Sequence, residues 1–196
     1  MNGLFSVLLI PLQALFSLYL LAVVMRFLLQ LVRADFYNPV SQFLVKITNP
    51  VLIPLRKVIP GYGGIDFACV VLALLLQMVA IELIVFLKFG GLVGIGPLLL
   101  ASVFGLASLL LKFYFFAIII MIIISWVAPG SNSPIVYLLF QLTEPIMAPF
   151  RKVIPAIGGL DLSPIVVFIV IRMVEEVLAQ LAITAGVAGL VPLLGW

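Results

Sequence analysis

Apolar residues fill four long runs of this chain, at residues 4–32, 67–87, 98–127 and 162–185. Each meets the roughly 20 residues a helix needs to cross a bilayer. Pro11 is expected to start or kink the first run near one surface, and Pro164 falls in the first turn of the last, where a missing amide costs nothing. Between runs one and two, and again between three and four, the pattern changes. Val40, Phe43, Leu44, Ile47 and Val51 recur with a helical period, with Ser41, Gln42, Lys46, Thr48 and Asn49 between them. Pro50 and Pro54 should then break this helix, because a residue preceding proline is pushed out of the helical region. A short, proline-broken amphipathic piece cannot cross, so it is expected at the interface, with Arg56 and Lys57 held to lipid phosphates. Pro60 and Gly61-Tyr-Gly-Gly64 make a turn, and Gly90 to Pro97 forms a short connecting loop.

The stretch Pro39–Asp66 returns as Pro134–Asp161 at an ungapped offset of 95 residues. Prolines, glycines and charges repeat: Pro50, Pro54, Arg56, Lys57, Pro60, Gly63, Gly64 and Asp66 return as Pro145, Pro149, Arg151, Lys152, Pro155, Gly158, Gly159 and Asp161. Apolar positions drift among Val, Ile, Leu, Met and Phe. The fold expected is all-α: four transmembrane helices as two parallel tandem repeats, residues 1–97 and 98–196, each with an interfacial element between its two spans.

Composition narrows the class. With 66% hydrophobic and 9% charged residues in 196, the chain lies far from soluble domains, in which roughly 25% are charged. The net charge of +3 comes from few, scattered basic residues, which suits topology and headgroup anchoring and excludes direct nucleic-acid binding. One cysteine, Cys69, and no histidine remove an internal disulfide and the usual metal and haem ligand sets, so no cofactor is expected. The N-terminal run lacks a positive n-region and is too long for a signal peptide. The uncharged tail ends in Trp196, suited to a headgroup region. Arg33, Lys46, Arg56, Lys57, Arg151 and Lys152 fall in or beside the repeats, against Lys88 alone on the other side. The positive-inside rule places the repeats in the cytoplasm and both termini in the periplasm.

Asp66 and Asp161 precede spans, where each either caps the next helix or pairs with Arg56 or Arg151. Within the spans lie Arg26, Lys112 and Arg172 against Glu82, Glu175 and Glu176. Arg26 is close enough to a span end to snorkel to the interface. Arg172 and Glu176 are four apart on one helix face, and Lys112 and Glu175 fall at similar depth. Two readings stand: structural pairs locking the helices, or a polar path for an ion or proton. The charges differ between copies, since Lys112 matches Ser17, Arg172 matches Gln77 and Glu82 matches Val177. That asymmetry counts against a pore on the pseudo-axis.

Pro145-x3-Pro149-x-Arg151-x3-Pro155, followed by Gly158-Gly159-x-Asp161-Leu162-Ser163-Pro164, resembles the signature of the YggT family of small bacterial membrane proteins. Pro50 through Asp66 resembles it too, but continues as Phe67-Ala68-Cys69 where the second copy has the family-like Leu-Ser-Pro. The resemblance implies two modules over nearly the whole chain. It implies association with cell division and nucleoid organisation, with osmotic-stress tolerance, and, in plastids and cyanobacteria, with assembly of membrane cytochrome complexes. It brings no established catalytic activity, and no histidine base, nucleophile motif or nucleotide-binding glycine turn argues for an enzyme.

The function expected is therefore a non-enzymatic inner-membrane adaptor or assembly factor. It would present Arg56-Lys57 and Arg151-Lys152 to anionic lipid and to a membrane-protein partner not identified by the sequence. Ala101, Gly105, Ala182 and Gly186 would let spans pack closely, within the chain or in a homo-oligomer. The alternative is a small transporter or channel acting under osmotic stress through Lys112, Glu82, Glu175 and Glu176.

Overall fold

The computed structural model describes residues 3–131, 133–154 and 161–191, and among them it holds six α-helices and no strand. They are α1 (Gly3–Leu31), α2 (Pro39–Val58), α3 (Phe67–Phe89), α4 (Ile95–Val127), α5 (Pro134–Val153) and α6 (Ser163–Thr184). Three of them, α1, α3 and α4, contain stretches long and apolar enough to cross a membrane. The outer faces of α3 and α4 carry exposed Leu75, Val79, Phe86, Leu99, Leu100 and Val103. Such a continuous apolar surface is tolerable only where something apolar covers it.

The two halves of the chain build the same triangle. In the first, α1 packs on α3 and α2 lies against both; in the second, α4 packs on α6 and α5 lies against both. The triangles meet where α3 packs on α4 and α2 touches α5. Asn38 Nδ2 donates to the Pro134 carbonyl at 2.6 Å, and the Asp35 amide donates to Gln141 Oε1 at 3.3 Å, fastening the two amphipathic helices to each other's modules. Gly105 on α4 sits against Gln77 on α3 so closely that an added Cβ would lie 2.3 Å from Gln77 Nε2. Ala101 and Ala182 are also buried in the packing. Gly186 is different: its φ of +70° makes it a turn residue just beyond α6, with no packing role.

The prolines do not break the amphipathic elements. Both α2 and α5 run unbroken for 20 residues, with Pro50 and Pro54 or Pro145 and Pro149 inside. Spaced four apart, each pair occupies a single exposed stripe, opposite buried Leu44, Thr48 and Leu52 or Leu142, Thr143 and Met147. The carbonyls that lose amide partners therefore lie toward the outer side, where the helix bends away without opening its packed face. At about 1.5 Å per residue, each helix is as long as a bilayer core is thick. Its two-faced pattern, rather than shortness, is what argues against a spanning position.

Gly63 and Gly64, at φ +62° and +85°, make the turn after α2. Tyr62 and Ile65 exchange amide hydrogen bonds of 3.1 and 3.0 Å across it. Two successive left-handed residues are what such a tight reversal requires, and it returns the chain so that Asp66 lies beneath Arg56. The matching Pro155, Gly158 and Gly159, and Trp196, lie outside the described residues. At the far end of the bundle, Gly90 closes α3 in the left-handed conformation, and Glu82 accepts the Val93 amide at 3.1 Å.

Candidate functional site

The repeated arginine and aspartate meet in both copies, ten residues apart. In the first, Arg56 Nε donates to Asp66 Oδ2 at 3.1 Å and its Nη2 donates to the same oxygen. Asp66 also caps α3, accepting the Cys69 amide at 3.4 Å, and takes the Cys69 thiol at 3.0 Å. Capping and pairing, which the sequence leaves as alternatives, are thus one arrangement. In the second copy, Arg151 Nε donates to Asp161 Oδ2 at 2.9 Å, while Asp161 Oδ1 accepts the Ser163 amide at 2.9 Å at the start of α6. Arg151 Nη1 donates in addition to Glu144.

Around these shared pairs the two copies diverge. Arg26 turns inward instead of reaching for the interface: it is 5% exposed and donates through Nη1 to Thr48 Oγ1 at 3.1 Å. It lies within electrostatic reach of Arg56 and Asp66, and Arg56 also donates to Gln30 at 3.4 Å. The first copy is therefore a packed polar knot in which Arg56 pairs with Asp66 while Arg26, bonded to Thr48, lies close enough to feel both charges. In the second copy Met121 replaces Arg26, Ser125 replaces Gln30 and Glu144 replaces Asn49. There one guanidinium stands between two carboxylates, and the Arg151 and Asp161 side chains are 40% and 37% exposed. They border a cleft of about 570 Å³ between α4, α5 and α6, lined also by Met121, Ser125, Trp126, Thr143 and Phe168.

Burial opposes ionisation of Asp66, but the hydrogen bonds from Arg56 and Cys69 reverse this and hold its carboxyl below the usual range. Asp161 is also lowered: burial works against it, and the Ser163 and Arg151 contacts win. Arg56 and Arg151 are pushed up despite burial, by their aspartates and, for Arg151, Glu144. Both arginines are thus already engaged within the protein. Lys57 and Lys152 beside them are exposed, as are Val58 and Val153.

The charges along the helices form no single network. Arg172 pairs with Glu175, one residue nearer than its expected partner Glu176, at 2.9 Å, and lies 4.9 Å over the Phe115 ring. Glu176 instead accepts from Gln180 at 3.0 Å. Lys112, Arg172 and Glu175 line one cleft between α1, α4, α5 and α6, with no ion pair joining Lys112 to Glu175. Glu82 lies at the other end, bonded to backbone. Sequence reasoning did not single out Gln30, Thr48 or Glu144 for the Arg–Asp sites. Glu144 was findable, since it lies seven residues before Arg151 on one helix face and replaces the neutral Asn49 of the first copy.

Three helices fit to span a membrane, an amphipathic helix in each half, and an arginine–aspartate clamp built twice define a helical protein of the membrane-spanning type made by duplication. The chain belongs to the CCB3/YggT family, which matches residues 5–87 and again residues 100–182. The two matches are offset by the same 95 residues as the internal repeat. The chain is 52% identical over 176 residues to the uncharacterized protein PA0392 of Pseudomonas aeruginosa, covering 89% of each. It is 37% identical over 177 residues to the uncharacterized protein YggT of Escherichia coli K12, covering 89% of this chain and 90% of that one. A more distant likeness, 36% over 76 residues, covers 38% of this chain and 43% of CCB3, a chloroplast protein of Arabidopsis thaliana named for cofactor assembly of complex C. No solved structure matches the chain.

Proposed function

We propose that this protein is a non-enzymatic adaptor or assembly factor of the bacterial inner membrane, with α1, α3, α4 and α6 as its four spans. The helices α2 and α5 lie at the cytoplasmic headgroup level. The observation that carries this reading is the duplicated clamp. In each copy an Arg–Asp pair fixes the end of an amphipathic helix against the start of the next helix, and an exposed Lys-Val step, Lys57-Val58 or Lys152-Val153, projects beside it. A rigid, basic, partly apolar edge suits docking to anionic lipid and to a membrane-protein partner. The relation to a protein named for cofactor assembly supports the same class of role, and links to cell division or osmotic tolerance belong to this proposal.

Because Arg56 and Arg151 are already paired with aspartates inside the protein, the test uses the lysines. Affinity purification of the tagged protein in mild detergent, wild type beside Lys57→Glu, Lys152→Glu, should show a partner that the variant loses. Equal recovery from both would sink the docking reading. A transport reading draws on the cleft of Lys112, Arg172 and Glu175, and predicts ion flux in liposomes that Glu175→Gln changes. Glu82 and Glu176, engaged in local hydrogen bonds away from that cleft, do not extend it into a path.

A further inference from the structure

Six residues of α6 follow one another at alternating steps of four and three: Ile165, Ile169, Arg172, Glu176, Ala179 and Ile183. That spacing lays them along one stripe, the seam by which two parallel helices interlock. All six are exposed. The matching positions of α3, 95 residues earlier, are not: Gln77, Ile81 and Ile84 are fully buried, and Val70, Leu74 and Lys88 are half-buried. On α3 the stripe is covered in part by the following module, Gln77 lying against Gly105 and Ile81 clustering with Leu98 and Ala101 of α4. On α6 it has no such cover among the described residues. Lipid can cover the isoleucines but gives an ionised side chain at mid-depth nothing to bond. Within α1, α3 and α4 this problem is avoided, because Arg26 is buried and Glu82 and Lys112 are half-buried. On α6 the Arg172 side chain is 68% exposed, and Glu176 and Gln180 are exposed beside it. Arg172 uses Nη1 on Glu175, and Glu176 accepts from Gln180 through Oε1. Both retain bonding capacity for a group outside the chain.

We infer that this stripe is a dimer interface, α6 packing in parallel against α6 of a second copy of this chain, with Arg172 of each copy paired to Glu176 of the other. The inference rests on the reading of α6 as the fourth span. A cation and an anion four residues apart on one stripe are complementary to the same stripe turned about a two-fold axis along the membrane normal. Copies inserted the same way round meet in parallel, as such a seam requires. Ala179 lets the two backbones approach next to the charges, and Ile165, Ile169 and Ile183 pack above and below them. Lys112 and Glu175 share a cleft with Arg172, so each copy brings two positive and two negative charges to this level and the cluster is neutral.

The test is disulfide cross-linking of the full-length protein in native membranes with a copper–phenanthroline oxidant. Ala179→Cys puts a thiol on the seam and should give a linked dimer. Val174→Cys, on the opposite side of α6, and the wild type with its buried Cys69 should give none. A linked product of another mass would put a different protein on the stripe and overturn the proposal. Arg172→Glu and Glu176→Arg each set like charges against each other across the axis. Each alone should weaken self-association about tenfold, the scale of two interhelical polar contacts. Co-expressed with different tags, the two variants should co-purify with each other, since the mixed pair restores both ion pairs. Equal recovery of mixed and unmixed pairs would overturn the proposal. The cysteine variants change no charge, so they decide the question if a reversed variant does not fold. Labelling of Val174→Cys by a membrane-impermeant maleimide in opened vesicles would overturn the span and the contact with it. Protection of that thiol without an Ala179→Cys dimer would overturn the contact alone.

Discussion

Replacing Asp66 with alanine should cost this protein far more than the same change at Asp161, although the sequence presents the two as copies. Asp66 has a side chain only 3% exposed and holds Arg56. Removing the carboxylate of a buried pair typically costs about 3–5 kcal/mol. Arg56 itself is 35% exposed, so solvent recovers part of that, and about 2–3 kcal/mol is the scale to expect. Loss of the α3 cap adds about 1 kcal/mol, and Arg26 is left beside Arg56 with no carboxylate between them. Asp161 and Arg151 are both more than a third exposed, which limits that pair to about 0–1 kcal/mol, plus about 1 for the amide it accepts. The predicted gap is thus about 2 kcal/mol. Thermal unfolding in mild detergent can be followed by circular dichroism, with alkylation of Cys69, the single and fully buried cysteine, as a second readout. Equal shifts in Tm for the two variants, or a larger one for Asp161→Ala, would refute the packed-knot account of the first copy.

The same carboxylates set an acid limit. Both have folded pKa values below the unfolded one, so their stabilisation is complete above about pH 4 and is lost as pH falls through the folded values. A pH series of Tm should fall on the acid side of that point, and Asp66→Asn should flatten the fall. Gly105→Ala drives a Cβ into Gln77 and should cost about 1–3 kcal/mol of overpacking in the same melts. Gln77 is fully buried and neither side-chain polar atom has a partner, so Gln77→Met should raise Tm by removing about 1–2 kcal/mol of unmet hydrogen bonding; a lower Tm would mean that Gln77 meets a group from outside the chain. Gly63→Ala with Gly64→Ala should cost about 1–2 kcal/mol per residue for the left-handed turn, and should open Cys69 to alkylation by loosening Asp66.

Much of the architecture was legible because membrane helices announce themselves by length and apolarity. The expected run 67–87 became Phe67–Phe89, and 98–127 became Ile95–Val127. The prolines misled because each was weighed as a local breaker, while their spacing of four puts both on one outer stripe and spares the packed face. Arg26 misled for a different reason. Nearness to a span end is a statement along one axis, and the side chain turned sideways to a threonine on α2 that only the folded chain places there. Arg172 chose Glu175 over Glu176, since spacings of three and four are both within reach on a helix and the rotamer decides. The Arg–Asp pairs were within reach of the sequence as one of two alternatives. The cleft was legible only by comparing interior positions across the repeat, where Met121 and Ser125 replace the two larger polar side chains that close the first copy.

That unequal pair of copies has a consequence for how the protein tolerates change. One copy holds its Arg–Asp pair in a packed interior and the other leaves it half-exposed, so damage to each should surface in a different way. Substitutions around Arg26 and Asp66 remove the molecule itself, and a cell carrying them lacks the protein. Substitutions around Glu144 and Trp126, whose side chains are partly or largely exposed, should leave the quantity of protein unchanged. A library of variants sorted by abundance should separate along the duplication boundary.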